Sequence, residues 1–115
     1  MLYMILVHAS NTSETNTYSN PELQQQMDDF NDLIETEGVK VMAKGLTSSQ
    51  EAVRIAFTKE GKQTISGPFS PINEQISGFF LIDVASHEEA LYYFHQVPDP
   101  IGNFEGLIEL RRVYG

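Results

Sequence analysis

The sequence predicts an α+β fold of the ferredoxin-like kind, in the order β-α-β-β(-β)-β-α-β, with an extra central hairpin. Three observations carry that expectation. Two helical stripes are each set between runs of strand character. The strand runs 2–7 and 79–84 are apolar on both alternating faces. No repeat, low-complexity run or linker divides the 115 residues, so they form one domain, 1–115.

"LYMILV" (2–7) reads as a strand covered on both sides. "SNTSETNTYSN" (10–20) is a polar loop ending in Asn20, an N-cap, with Pro21 at the first helical position and Glu22 near the positive helix end. Leu23, Met27, Phe30 and Ile34 then recur at spacings of four, three and four, one apolar stripe on a helix that Gly38 ends. "VKVMAKGL" (39–46) and "AVRIAFT" (52–58) are the next strands. "KEGKQ" (59–63) is a turn leading to a short strand near Thr64 and Ile65. "GFFLIDV" (78–84) is a second strand buried on both faces. Ser86 and Glu89 have capping-box spacing before Ala90, Leu91 and Phe94, and "VPDP" (97–100) stops that helix. "GLIELRRV" (106–113) is the last strand.

Two helices cover one face of such a sheet, yet its strands are apolar on both. A second copy of the chain is the expected cover, which makes a homodimer the expected assembly.

Composition removes several function classes. Apolar residues are 41% and charged residues 20%, ordinary for a folded domain. The net charge is −9, from 16 acids against seven scattered bases, so no direct nucleic-acid partner and no anionic membrane surface is expected. There is no cysteine, hence no disulfide, thiolate nucleophile or cysteine metal cluster. "MLYMILVHAS" lacks the basic start of a signal peptide, and nothing reaches transmembrane length, so the cytoplasm is the expected location. No metal-ligand spacing, phosphate loop or G-x-S-x-G elbow occurs, and neither a metal nor a cofactor is expected.

The stretch "ISGPFSPINEQISGFF" (65–80) is the most unusual. Gly67 and Pro68 shape a turn, and Phe69 is expected to plug loop against core. Ser66 either caps this loop or bonds a ligand. Glu74 either pairs with a neighbour or acts as a general base in a pocket. Glu109 and Arg111 share one face of the last strand, as a structural ion pair or as ligand anchors. Arg54 offers a bidentate site for an anion. His8 closes the first strand, as a satisfied histidine or as a base.

"SGPFSPINEQISGFF" resembles the signature of the YCII-related family in its DGPF branch, whose run reads D-G-P-F-x-E-x-K-E-x-x-x-G-F/Y. "YMILV" (3–7), "GLTSSQEAVRI" (45–55), "LIDVASHEEAL" (81–91) and "IELRRV" (108–113) are similar to other family segments, in the same order. Ser66, Pro71, Asn73 and Arg112 depart from the pattern. Gly67, Pro68, Phe69, Glu74, Gly78, Phe79, Glu109 and Arg111 keep it. The resemblance implies a dimeric α+β barrel with a small-molecule cavity on the barrel side. It also implies proton-transfer chemistry of an isomerase or lyase type. Glu74 or His8 would be the base, Asp83 a carboxylate partner for His8, and Arg54 or Arg111 the anion anchor, with Ser66, Phe69 and Glu109 beside the ligand. The rival expectation is a noncatalytic ligand-binding or regulatory module, linked to transcription through a sigma-factor context.

Overall fold

The computed structural model describes residues 1–10 and 20–115, so the polar loop expected at 10–20 lies almost wholly outside the described residues. Among the described residues, six strands and two α-helices follow the expected order: β1 (Leu2–His8), α1 (Pro21–Thr36), β2 (Lys40–Gly45), β3 (Val53–Thr58), β4 (Gly61–Ser66), β5 (Ile76–Asp83), α2 (His87–Phe94) and β6 (Ile108–Arg112). Two short 3₁₀ turns, Ser49–Glu51 and Ile72–Glu74, were not foreseen.

Local chemistry explains the helix ends. The Asn20 side chain accepts from the amides of Glu22 and Leu23, satisfying two donors that the first turn of α1 leaves free. Gly38 follows the helix with φ +76°, where a residue with a Cβ would be strained. At α2 the Ser86 hydroxyl accepts from the Glu89 amide. The Glu89 carboxylate reaches back one residue further than the capping box requires, to the Ala85 amide.

Four strands form an antiparallel sheet in the order β2-β5-β1-β6, the ferredoxin-like arrangement. Alternation along β1 sends Tyr3, Ile5 and Val7 to the helices. There they meet Phe80 and Ile82 of β5, Phe30 and Ile34 of α1, and Ala90 and Tyr93 of α2. Ile5, Ile34 and Ile82 are wholly buried.

Among the described residues, both helices lie on that one face, and the apolar side chains of the opposite face are half-buried or exposed. The register places Met4 and Leu6 beside Leu81 and Phe79, with Met42 of β2 next to Leu81. Glu109 and Arg111 of β6 lie on this same face, opposite Leu6 and Met4, while Ile108 and Leu110 pack toward the core.

β3 and β4 form a separate two-stranded arm. Its turn is shorter than expected: Thr58 pairs with Gly61 across Lys59 and Glu60, and β4 therefore runs from Gly61 to Ser66. Val53, Ile55 and Phe57 are exposed on one face of this arm, Phe57 by 77%.

Candidate functional site

β1 and β5 fall out of register at the end of their ladder. Val7 pairs with Gly78 and His8 with Ile76, leaving Ser77 as an extra residue on β5. Such a bulge bends a strand and re-aims its side chains. The Ser77 hydroxyl donates to the Val7 carbonyl, which holds the irregular step in place.

The bulge sets His8 among fixed partners. A carbonyl oxygen can only accept, so the Nδ1–H of His8 donates to the Asn73 carbonyl, 2.8 Å away. That bond leaves Nε2 as the ring atom free for proton exchange. Nε2 stands 3.7 Å from a carboxylate oxygen of Glu109, and the His8 side chain is only 16% exposed. Glu109 is also hydrogen-bonded by the Arg111 guanidinium, on its own strand two residues along. That bond holds the Glu109 carboxyl below the usual carboxylate range. Partial desolvation opposes the shift, and the charges of Arg111 and His8 reinforce it.

His8 also lines a cavity of about 520 Å³. It opens between α1 and the ends of β1, β2 and β5, where its lining takes in Ala43 and Phe80 of the helix-facing side of the sheet and Lys44 and Phe79 of the other. Leu23 and Met27, the first half of the α1 stripe, face it, together with Phe80 and Ile101. The helix stripe thus divides. Phe30 and Ile34 fill the core, while Leu23 and Met27 wall a space large enough for a small organic molecule.

The remaining expected site residues are placed elsewhere. Asp83 pairs opposite Leu2, at the far end of β1 from His8. Six residues of strand separate the two positions by about 20 Å, and Asp83 instead binds the Met1 ammonium at 2.9 Å. The two therefore form no dyad. Glu74 is exposed at the end of the second 3₁₀ turn and is not part of the cavity wall. Its neighbour Asn73 supplies the useful atom, through its backbone.

Arg54 is engaged on the arm side. Its guanidinium lies over the Phe69 ring, and Nη2 donates to the Gln75 side chain at 3.1 Å. Phe69 is half-buried and lies outside the core cluster, so it anchors the loop against Arg54 and Ser49 and does not plug the core. Ser66 ends β4 in an exposed position. His87, at the start of α2, hydrogen-bonds the Tyr3 hydroxyl.

The loop after β4 owes its path to Gly67. Its amide donates to the Ala52 carbonyl, and a Cβ there would lie 1.6 Å from the Ser49 carbonyl oxygen. No larger residue fits so close a backbone approach. Beyond it the Gly67–Pro68 and Ser70–Pro71 peptides are both cis.

A family model for the YCII-related domain matches residues 1–114. The chain belongs to the YCII-related family. A search of curated proteins finds no significant match. In this YCII-related domain His8 lies close to Glu109 and lines the cavity, while Glu109, Arg111, Glu74, Asp83, Arg54, Ser66 and Phe69 are not in its described wall. Sequence reasoning missed Asn73 as a backbone acceptor and Lys44 as a cavity residue. Neither carries a residue-level signal, because a carbonyl is common to every residue and an exposed strand lysine is ordinary. Among the described residues, no group of three His, Asp or Glu side chains converges as a metal site would require, and no helix is long and apolar enough to cross a membrane.

Proposed function

We propose that this YCII-related domain binds a small organic molecule in the cavity under α1, and that His8 transfers a proton to or from it. One observation carries the reading. His8 is at once a wall residue of the cavity and a ring whose Nδ1 is committed to Asn73, with Nε2 facing Glu109. A base needs a fixed orientation and one free nitrogen, and His8 has both. Glu109 positions the ring electrostatically, and Arg111 holds Glu109. An isomerase or lyase-like step is the reaction class such a single acid–base group supports.

The test is solvent proton exchange. A panel of small enolisable carbonyl acids in D₂O, followed by NMR, should show enzyme-dependent deuterium uptake in at least one member. His8→Asn should abolish that uptake while leaving the thermal melt unchanged. Uptake that survives in the variant would remove His8 from the reaction.

A noncatalytic ligand-binding or regulatory module is the second reading. It is favoured by Ser66, a hydroxyl where the DGPF pattern has an acid, and by the distance of Glu74 from the cavity wall. Binding without deuterium uptake across the panel would select it.

We further propose that a second copy covers the open sheet face. Met4, Leu6, Phe79, Leu81 and Met42 make that face apolar, and the arm adds Val53, Ile55 and Phe57. A contiguous apolar face of this kind is the sort of surface that marks an interface.

A further inference from the structure

Asn31 is a polar residue at a place on α1 that suits an apolar one. Met27 and Asn31 are four residues apart and Gln24 and Asn31 seven, so the three share one flank of the helix. All three line the cavity. On the neighbouring strip of the helix, Phe30 and Ile34 are buried in the core.

Across the cavity, Ala43 of β2 and Phe80 of β5 pair in register, and both belong to its wall. Phe80 also receives the edge of the Phe30 ring, with 5.0 Å between centroids. Asn31 follows Phe30 in the chain and therefore stands where the cavity runs into the core.

The Asn31 Oδ1 is shut off from water and accepts no hydrogen bond, and among the described residues no other buried side-chain polar atom is left in that state. Its polar neighbours in the wall are engaged. The Asn20 side chain caps α1, Gln24 donates to Asp28, and the Ser77 hydroxyl donates to the Val7 carbonyl. A buried acceptor without a donor is costly and uncommon in folded chains, and one in a cavity wall is relieved by a ligand that brings the donor. The last torsion of an asparagine side chain is soft, so its amide turns toward such a donor at little cost.

We infer that the cavity takes a small molecule with a hydroxyl or N–H donor on an apolar body, and that the Asn31 Oδ1 accepts the hydrogen bond from that donor. Leu23, Met27 and Phe80 pack the body. The proposed contact rests on the cavity reading above and adds the ligand's polar group and the residue that selects it.

The experiment uses the full chain and two probes of similar shape, phenol and fluorobenzene, whose fluorine has no proton to donate. Binding is followed by the amide chemical shifts of Met27, Asn31 and Phe80. The ratio of phenol affinity to fluorobenzene affinity should fall about five-fold in Asn31→Leu, the usual worth of one neutral hydrogen bond. Asn31→Ala, which cannot overpack the site, should give the same low ratio. Gln25→Leu, on the exposed flank of α1, should leave the ratio unchanged. A ratio that is the same in the native chain and in both Asn31 variants would overturn the inference while leaving the cavity as a binding site. If neither probe shifts the wall amides, the cavity reading fails and the inference falls with it.

Discussion

The guanidinium of Arg54 covers the ring of Phe69, 3.7 Å from guanidinium carbon to ring centroid. This contact ties the base of the β3–β4 arm to the loop that follows β4. Phe69 is half-buried, so Phe69→Ala forfeits about half of what a fully buried ring contributes. A loss of about 1–2 kcal/mol is expected in denaturant melts. Arg54→Ala should cost about 0.5–1 kcal/mol, as exposed cation–π pairs do. A loss above about 3 kcal/mol at Phe69 would mean that the ring belongs to the core after all.

Two glycines should respond very differently to alanine. At Gly67 the new Cβ collides with backbone, the Ser49 carbonyl, which cannot rotate away. The loop must move, at a cost of about 3 kcal/mol or more. At Gly38 nothing lies within 4 Å, and the strain comes from φ +76° alone. About 1 kcal/mol is expected there. Thermal melts of Gly67→Ala and Gly38→Ala should rank in that order.

Glu109 and Arg111 test the homodimer. In the single chain Arg111 is 71% exposed and Glu109 37%, so water screens their pairing. A double-mutant cycle with Glu109→Gln and Arg111→Met should show weak coupling when the chain is monomeric. If a second copy closes over the sheet, coupling should grow with protein concentration, in step with the dimer fraction from sedimentation. Coupling that is independent of concentration would place the pair outside any interface.

Two shifted groups should make local stability depend on pH. Burial alone would raise the Asp99 carboxyl, but hydrogen bonds from the amides of Ile101, Gly102, Gly106 and Phe104 outweigh it and bring the pKa below the ordinary value. Asp99 therefore stabilises its loop above about pH 4, and that contribution is lost as pH falls through the lower folded value. Amide exchange at Ile101 and Gly102 should quicken below pH 4, and Asp99→Asn should flatten the dependence. Tyr93 sets the alkaline side. Its hydroxyl donates to Glu37, and that bond, burial and the Glu37 charge together raise its pKa to about 12. Its contribution is complete below pH 10 and disappears as pH rises through 12. Ultraviolet titration should find one of the five tyrosines ionising late, and Glu37→Gln should bring it forward.

Periodicity and capping chemistry are local, and they determined the element order in this chain. The two-residue alternation of "LYMILV" placed Tyr3, Ile5 and Val7 on one face, and the spacing of Leu23, Met27, Phe30 and Ile34 placed them on one stripe. Asn20, Gly38 and Ser86 marked helix ends because each residue's own side chain, or lack of one, does the work there. The shared face of Glu109 and Arg111 was legible for the same reason. What lay beyond the sequence was which distant segments meet. The family resemblance offered Asp83 as a carboxylate partner for His8, but antiparallel pairing set them at opposite ends of one ladder. Phe69 looked like core, until the path of the loop brought Arg54 over it. The cavity is lined by Leu23 and Met27 of α1 together with residues at the ends of β1, β2 and β5, a juxtaposition set by how the helix lies on the sheet. Registers and gaps of this kind depend on contacts between segments well separated in the chain, and no local pattern encodes a distance between such side chains.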